Sequence, residues 1–313
     1  MEIDKIIIVT RLTRLEDNIK RFNTKGQAKF YIEKRGQSFA DYELEYENYH
    51  RAKDLVVKSI PSSIRFQIID RNFLPNFVFG KKDLILTLGQ DGLVINVAKY
   101  LNSQNILAVN PDPERFDGVL LPFRENEVTQ TIQKIEKNEF QTKKITMARV
   151  DLTDGQFLYA CNDFFIGANS HISARYSLQF GEKTERHSSS GIIVSTPIGA
   201  TGWLSSLFNM TEGINKFKKN SQSNSKKSSN KKTPNWEAKK LTFIVREPFV
   251  SKWSGADLVA GEITSQSELV IESLMPEKGV IFSDGMESDF LEFNSGSTAK
   301  VSIAEKVASL INK

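Results

Sequence analysis

Residues 84–88, Leu-Ile-Leu-Thr-Leu, form an almost continuously apolar run that ends abruptly in Gly89-Gln90-Asp91-Gly92. A strand without a polar face is buried on both sides, the situation of a parallel sheet covered by helices. The flanking sequence agrees with such a sheet. Lys5 to Thr10 reads as a second buried strand, and Leu12, Leu15, Ile19 and Phe22 follow at helical spacing. From Phe39 to Ser59 an amphipathic helix is expected, with Tyr42, Tyr46, Tyr49, Ala52 and Val56 on one side and Pro61 closing it. Ile64 to Ile69 is another strand candidate. Strands alternating with helices predict an α/β domain over residues 1–145.

After Lys144 helical periodicity nearly disappears and short alternating runs take over, among them Ala148 to Leu152, Gln156 to Ala160, Gly191 to Ser195, Leu241 to Val245 and Glu268 to Glu272. A β-rich domain is therefore expected over 146–303. Residues 304–313 are expected to return to the first domain, with Ala304 to Ile311 as a short helix. Seven lysines and no acid lie between Gly213 and Trp236, so removing them from the net charge of +4 leaves −3 for the rest of the chain. The basic excess is thus one segment, in which residues 218–232 hold no apolar residue, expected as a solvated loop at about 216–235, and not a nucleic-acid surface.

Hydrophobic residues at 39% and charged residues at 26% fit a globular protein. The single Cys161 cannot form an intramolecular disulfide, and with three scattered histidines it offers no structural zinc spacing. No window approaches the roughly 18 apolar residues of a membrane span. The first ten residues read neither as a secretory leader nor as a transit peptide, so the cytoplasm is the expected location.

Four segments carry candidate chemistry. The first is the strand entering Gly89-Gln90-Asp91-Gly92, followed by the helical pattern Leu93, Val97, Tyr100 and Leu101. A strand, two glycines and a helix start put backbone N–H groups and a positive helix end where phosphates bind. Asp91 is placed to accept a proton or to help hold Mg²⁺ there, although Gly-x-Asp-Gly is also an ordinary tight turn. The second is Asn110-Pro-Asp112-Pro-Glu114-Arg115, a polar loop stiffened by proline at the end of an apolar strand. The third is Asn162-Asp163, an amide and a carboxylate able to take both hydroxyls of a ribose or, equally, to cap their own backbone. The fourth, Ser195-Thr196-Pro197-Ile198-Gly199-Ala200-Thr201, combines small residues and hydroxyls that leave room for a ring and a pyrophosphate, or form a plain loop.

In order and spacing these segments resemble the NAD kinase family, which shows Gly-Gly-Asp-Gly, then Asn-Glu, then Thr-Pro-Thr-Gly-Ser-Thr-Ala. Asn110 to Arg115, the opening Thr10-Arg11-Leu-Thr13-Arg14, Arg246-Glu247-Pro248 and Ser283-Asp284-Gly285 look like its mitochondrial-type and related bacterial branch. The resemblance implies a parallel-sheet α/β domain followed by a β-rich domain, with the site between them. It implies ATP phosphates over Gly89, Gln90 and Gly92, Asp91 facing the 2′-hydroxyl of the adenosine ribose, and NAD bound by Asn110, Asn162, Asp163, Thr196, Gly199, Ala200 and Thr201. It further implies ATP with Mg²⁺, and a homodimer or larger assembly.

The chain departs from the family pattern at four positions. Gln90 replaces a glycine, which costs roughly 1 kcal/mol or more if the position requires positive φ. Leu93 and Ile198 replace threonines, and Asp163 is one methylene shorter than glutamate. Two other readings stay open: a kinase of another hydroxyl, such as a lipid or sugar, and a nucleotide-binding regulatory protein without turnover.

Overall fold

The computed structural model describes residues 2–218 and 235–313. The chain divides into two compact units, one of residues 1–143 and 308–313 and the other of 144–307.

The first unit is an α/β layer structure. Its elements are β1 (Lys5–Thr10), α1 (Arg14–Phe22), α2 (Lys25–Lys34), α3 (Phe39–Lys58), β2 (Arg65–Asp70), β3 (Leu84–Leu88), α4 (Asp91–Ala98), β4 (Asn105–Asn110), β5 (Phe123–Arg124) and α5 (Val128–Glu136). β1 pairs in parallel with β2 and β3, and β3 pairs in parallel with β4. The strand order is therefore β4-β3-β1-β2. Ile6 to Val9 and Leu84 to Leu86 are completely buried, as strands covered on both faces must be. Tyr49, Ala52 and Val56 of α3 pack into the same core as these strands, together with Val128, Ile132 and Ile135 of α5. A satellite cluster joins Leu15, Ile32, Phe39 and Tyr42. Tyr46, expected on the same face, is instead more than a third exposed and lies against the His50 ring at a tilt of 43°.

Local signals start the helices. Thr13 caps α1 in a reciprocal capping box: its Oγ1 accepts from the Glu16 N–H, and Glu16 Oε2 accepts from the Thr13 N–H. α4 is apolar nearly all round, and Leu93 to Ala98 are all buried.

The second unit is β-rich. It contains β6 (Gln141–Leu152, which enters from the first unit), β7 (Phe157–Ala160), β8 (Asp163–Ala168), β9 (Ala174–Phe180), β10 (Lys183–Ser189), β11 (Ile192–Ser195), α6 (Trp203–Lys218), β12 (Leu241–Val245), β13 (Ala260–Ile263), β14 (Leu269–Ser273), β15 (Gly279–Ser283), β16 (Met286–Glu292) and β17 (Thr298–Asn312). An antiparallel sheet runs in the order β13-β12-β11-β8-β15-β16. Its inner residues Phe164, Ile166, Ile192, Val194 and Phe243 share one core with Tyr176, Leu178, Leu269, Ile271 and Val301 of β9, β14 and β17. Two sheets thus face each other, as alternating strands with one apolar side must arrange. On the outer face Phe165 and Ile193 are covered by Trp203 and Leu207 of α6, so β8 and β11 are buried on both sides.

Two expectations need correction. Residues 304–311 are strand and not helix: they belong to β17, whose Ser309 and Leu310 pair in parallel with Asn105 and Ile106 of β4. Val301, Ala304 and then Ala308 to Ile311 are buried, a pattern that sheet pairing satisfies and a helix face does not. The loop expected at about 216–235 overlaps the end of α6, which runs to Lys218, and residues 219–234 lie outside the described residues.

Because β3 has no exposed face, Leu86→Ala should leave a cavity and lower stability by about 2–5 kcal/mol. Urea unfolding checks this as a lower midpoint at unchanged slope.

Candidate active site

In the first unit the connections reverse direction between β1 and β3, since β1 leads to β2 on one side while β3 leads to β4 on the other. Open α/β sheets bind ligands outside the carboxyl ends of strands at such a switch point. The residues placed there are Thr10 and Arg11 after β1 and Gly89 to Asp91 after β3. Tyr49 of α3 joins the two strand ends. Its hydroxyl donates to the Leu88 carbonyl at 3.1 Å and accepts from the Arg11 N–H at 3.0 Å. Burial pushes this phenol up to about 12, so it stays protonated and can do both at neutral pH.

Arg11 donates to Glu45 Oε1 at 3.1 Å and lies against the rings of Tyr49 and Phe116. A Cβ on Gly89 would stand 2.8 Å from Leu93 Cδ2 and 3.6 Å from Arg11 Cδ, so the missing side chain is what lets α4 start this close to the strand. Gln90 has φ −98° and occupies the cap position of α4 in an extended conformation. Any L-residue adopts that geometry, so the strain considered for a glycine replacement does not arise. Leu93 points its bulk into the core instead of leaving a hydroxyl near the turn, being only 3% exposed.

Asp91 is the first residue of α4, where a carboxylate is favoured by the helix dipole. Its Oδ1 accepts the Leu120 N–H at 2.8 Å, and its other oxygen has no hydrogen bond to the described residues. The loop that supplies Leu120 is shaped by Asn110, whose Oδ1 accepts from the Asp112 N–H and whose Nδ2 donates to the Phe116 carbonyl, both at 3.0 Å. Asp112 in turn accepts from Asn48 of α3, and Arg115 pairs with Asp41 at 2.7 Å. One oxygen of the carboxylate is therefore clamped, and the other makes no hydrogen bond to the described residues.

In the second unit the structure brings the third and fourth segments together. Thr196 Oγ1 donates to the Cys161 carbonyl at 2.5 Å, the Thr196 N–H donates to the Asn162 carbonyl at 2.9 Å, and the Gly199 N–H donates to Thr196 Oγ1 at 3.3 Å. Gly199, Ala200 and Thr201 form a single tight helical turn after Pro197 and Ile198. Asn162 and Asp163 open β8, in register with Ser195 of β11. Asp163 is only 8% exposed, and its carboxyl makes no hydrogen bond among the described residues. Burial first, and the charge of Asp284 second, push it up to about 7.

Three contributors were not among the expected site residues: Tyr49, placed only on a helix face, the Leu120 N–H, and Asp284, named only within Ser283-Asp284-Gly285. The first two act through contacts far apart in sequence. Asp284-Gly285 did carry a signal, because Asp-Gly between two strands marks a tight hairpin whose Asp tolerates the left-handed region.

No family model matches the chain. The NAD kinase of Cytophaga hutchinsonii is 26% identical over 130 residues, 40% of this chain and 44% of that protein. The NAD kinase of Caldanaerobacter subterraneus subsp. tengcongensis is 28% identical over 136 residues, 41% of this chain and 47% of that protein. The chain thus spans less than half the length of these curated relatives in the matched stretch. Among solved structures, yeast NADH kinase complexed with NADH aligns over 100% of this chain and 84% of its own at TM-score 0.58 and 13% identity. An NAD kinase from Archaeoglobus fulgidus in complex with ATP aligns over 97% and 92% at TM-score 0.54 and 14% identity. A parallel-sheet α/β unit joined to a β-rich unit is the architecture these structures share with the chain. Its fold is that of the NAD kinases, and the curated relatives agree with the family read from the motifs.

A Cβ on Gly199 would lie 2.2 Å from the Asn162 carbonyl oxygen. Gly199→Ala should therefore force the two turns apart and cost on the order of 1–3 kcal/mol, measurable by urea unfolding.

Proposed function

We propose that the chain is an NAD kinase, transferring the γ-phosphoryl group of ATP to the 2′-hydroxyl of the adenosine ribose of NAD to give NADP. The observation that carries this reading is Asp91: a carboxylate at the switch point of a parallel sheet, with one oxygen fixed by the Leu120 N–H and the other without a protein partner. Such a group can orient a hydroxyl and take its proton late in phosphoryl transfer. The names of the relatives support the same substrate, and the two solved neighbours were captured with NADH and with ATP.

In this reading the ATP phosphates lie over Gly89, Gln90 and Gly92, where the first-turn N–H groups of α4 meet developing negative charge. Asn162, Asp163 and the turn from Thr196 to Thr201 take up NAD, and Asn110 contributes by holding the loop that fixes Asp91. Mg²⁺ would be held mainly by the ATP phosphates and its own waters and would neutralise phosphate charge, with Asp91 helping to hold it only through a water so that its open oxygen stays with the hydroxyl. Positioning supplies most of the acceleration. Gln90 is unstrained in the turn and so lends no support to a non-catalytic binder.

A homodimer in the cytoplasm belongs to the same proposal. Met210, Ile214 and Phe217 form an exposed apolar stripe on α6 that would suit a second copy. No helix among the described residues is long and apolar enough to cross a membrane.

The test is the purified chain with ATP and Mg²⁺ against NAD, NADH, sugars and diacylglycerol, scored for phosphorylated product. NADP should form from NAD, and Asp91→Asn should lower kcat by roughly 10²–10⁴-fold with the Kd for NAD unchanged. Full kcat in that variant, or product only from a sugar or lipid, contradicts the proposal.

A further inference from the structure

Asp284 lies in the two-residue turn between β15 and β16, with φ +56° and Gly285 following at +67°, the pattern of a tight hairpin. Its carboxylate accepts three consecutive backbone N–H groups: Cys161 at 2.9 Å, Asn162 at 2.6 Å and Asp163 at 3.2 Å. Its own N–H donates back to the Asp163 carbonyl at 3.0 Å. Successive N–H groups converging on one acid form an anion nest, here filled by the protein's own side chain. Thr196 holds the same segment through the Cys161 and Asn162 carbonyls. The backbone of Asn162 and Asp163 is thus braced from two neighbouring strands. The Asp163 side chain is the exception, since it is buried and has no partner.

We infer that Asp284 is a positioning residue: it locks the turn that presents Asn162 and Asp163 and, as a second acid beside a buried unpartnered one, ties occupancy of this subsite by a vicinal diol to the loss of one proton. The inference rests on the reading of Asn162 and Asp163 as a ribose subsite for NAD. Two donated hydroxyl protons are best accepted by an ionised carboxylate, which offers only acceptors. In the free protein burial, and then the Asp284 charge, hold Asp163 protonated up to about pH 7. Ligand hydroxyls favour its ionised form and lower that value, so binding expels the proton.

The sign follows directly. Below about pH 7 the subsite must first ionise and affinity falls; above it affinity levels off. The neighbouring groups reinforce this direction. The Asp284 charge acts on Asp163, the Cys161 thiol is pushed up by burial and stays neutral, and Ser195 and Thr196 on β11 and its turn carry no charge.

The experiment is calorimetric titration of the full chain with NAD from pH 6 to 8, in buffers of different ionisation enthalpy. NAD has no group that titrates in this range. Affinity should be about tenfold weaker at pH 6 than at pH 8, with a proton released on binding near the midpoint. Asp284→Asn turns an amide N–H toward the nest, so it should weaken binding and also move the midpoint to lower pH, which a merely structural role would not do. Should that variant fail to fold, Asp163→Asn leaves the Asp284 turn intact and should abolish the pH dependence. The carboxyl carbon-13 signal lost in Asp163→Asn should titrate near pH 7 in the unliganded protein. NAD binding that is independent of pH overturns this inference alone. Absence of NAD binding at every pH overturns the functional reading with it.

Discussion

The strand order β2-β1-β3-β4 is the constraint from which the site in the first unit follows. Because the chain turns back at β1, the ends of β1 and β3 stand side by side without a connection crossing between them. Tyr49 converts that topological opportunity into fixed geometry, closing the Leu88 carbonyl and the Arg11 N–H with one buried hydroxyl. A buried polar backbone group left unpaired is costly, so the bridge satisfies both groups and ties the two strand ends together. α4 then starts directly from β3, and the direction of Asp91 is set by a backbone N–H from the next loop.

The second unit solves a similar problem without a helix end. Its two candidate turns are joined by backbone carbonyls of Cys161 and Asn162 and by the hydroxyl of Thr196, and Gly199 leaves the space these contacts require. Asp284 closes the arrangement from the opposite strand. Hydrogen bonds between backbone groups and buried side chains fix position more tightly than exposed ion pairs, which screening and side-chain entropy weaken. In the reading proposed for this subsite, Asp163, only 8% exposed and without a carboxyl hydrogen bond among the described residues, is the group that meets a ligand hydroxyl.

Much of this was legible in the sequence because local pattern and burial coincide. β3 is apolar on both faces because both faces are covered, and Gly89 to Asp91 announce the strand-to-helix turn through composition alone. α2 was not legible, since only Ala28 and Ile32 of its ten residues are buried and no stripe stands out. Residues 304–311 misled because their small and apolar residues suit a helix, while pairing with β4 is a long-range contact that no local window contains. The same holds for Leu120, Tyr49 and Asp284, each of which acts on residues distant in the chain. The cost feared at Gln90 was a matter of one dihedral angle, which residue type does not determine.

The central claim is that Asp91 offers its unclamped oxygen to a nucleotide's sugar hydroxyl, and a crystal structure of the chain with NAD and a non-hydrolysable ATP analogue tests it most directly. The account predicts the adenosine 2′-hydroxyl at hydrogen-bond distance, about 2.6–3.2 Å, from the free oxygen of Asp91 while the other keeps the Leu120 N–H. A bound NAD whose ribose hydroxyls lie away from that carboxylate would contradict it.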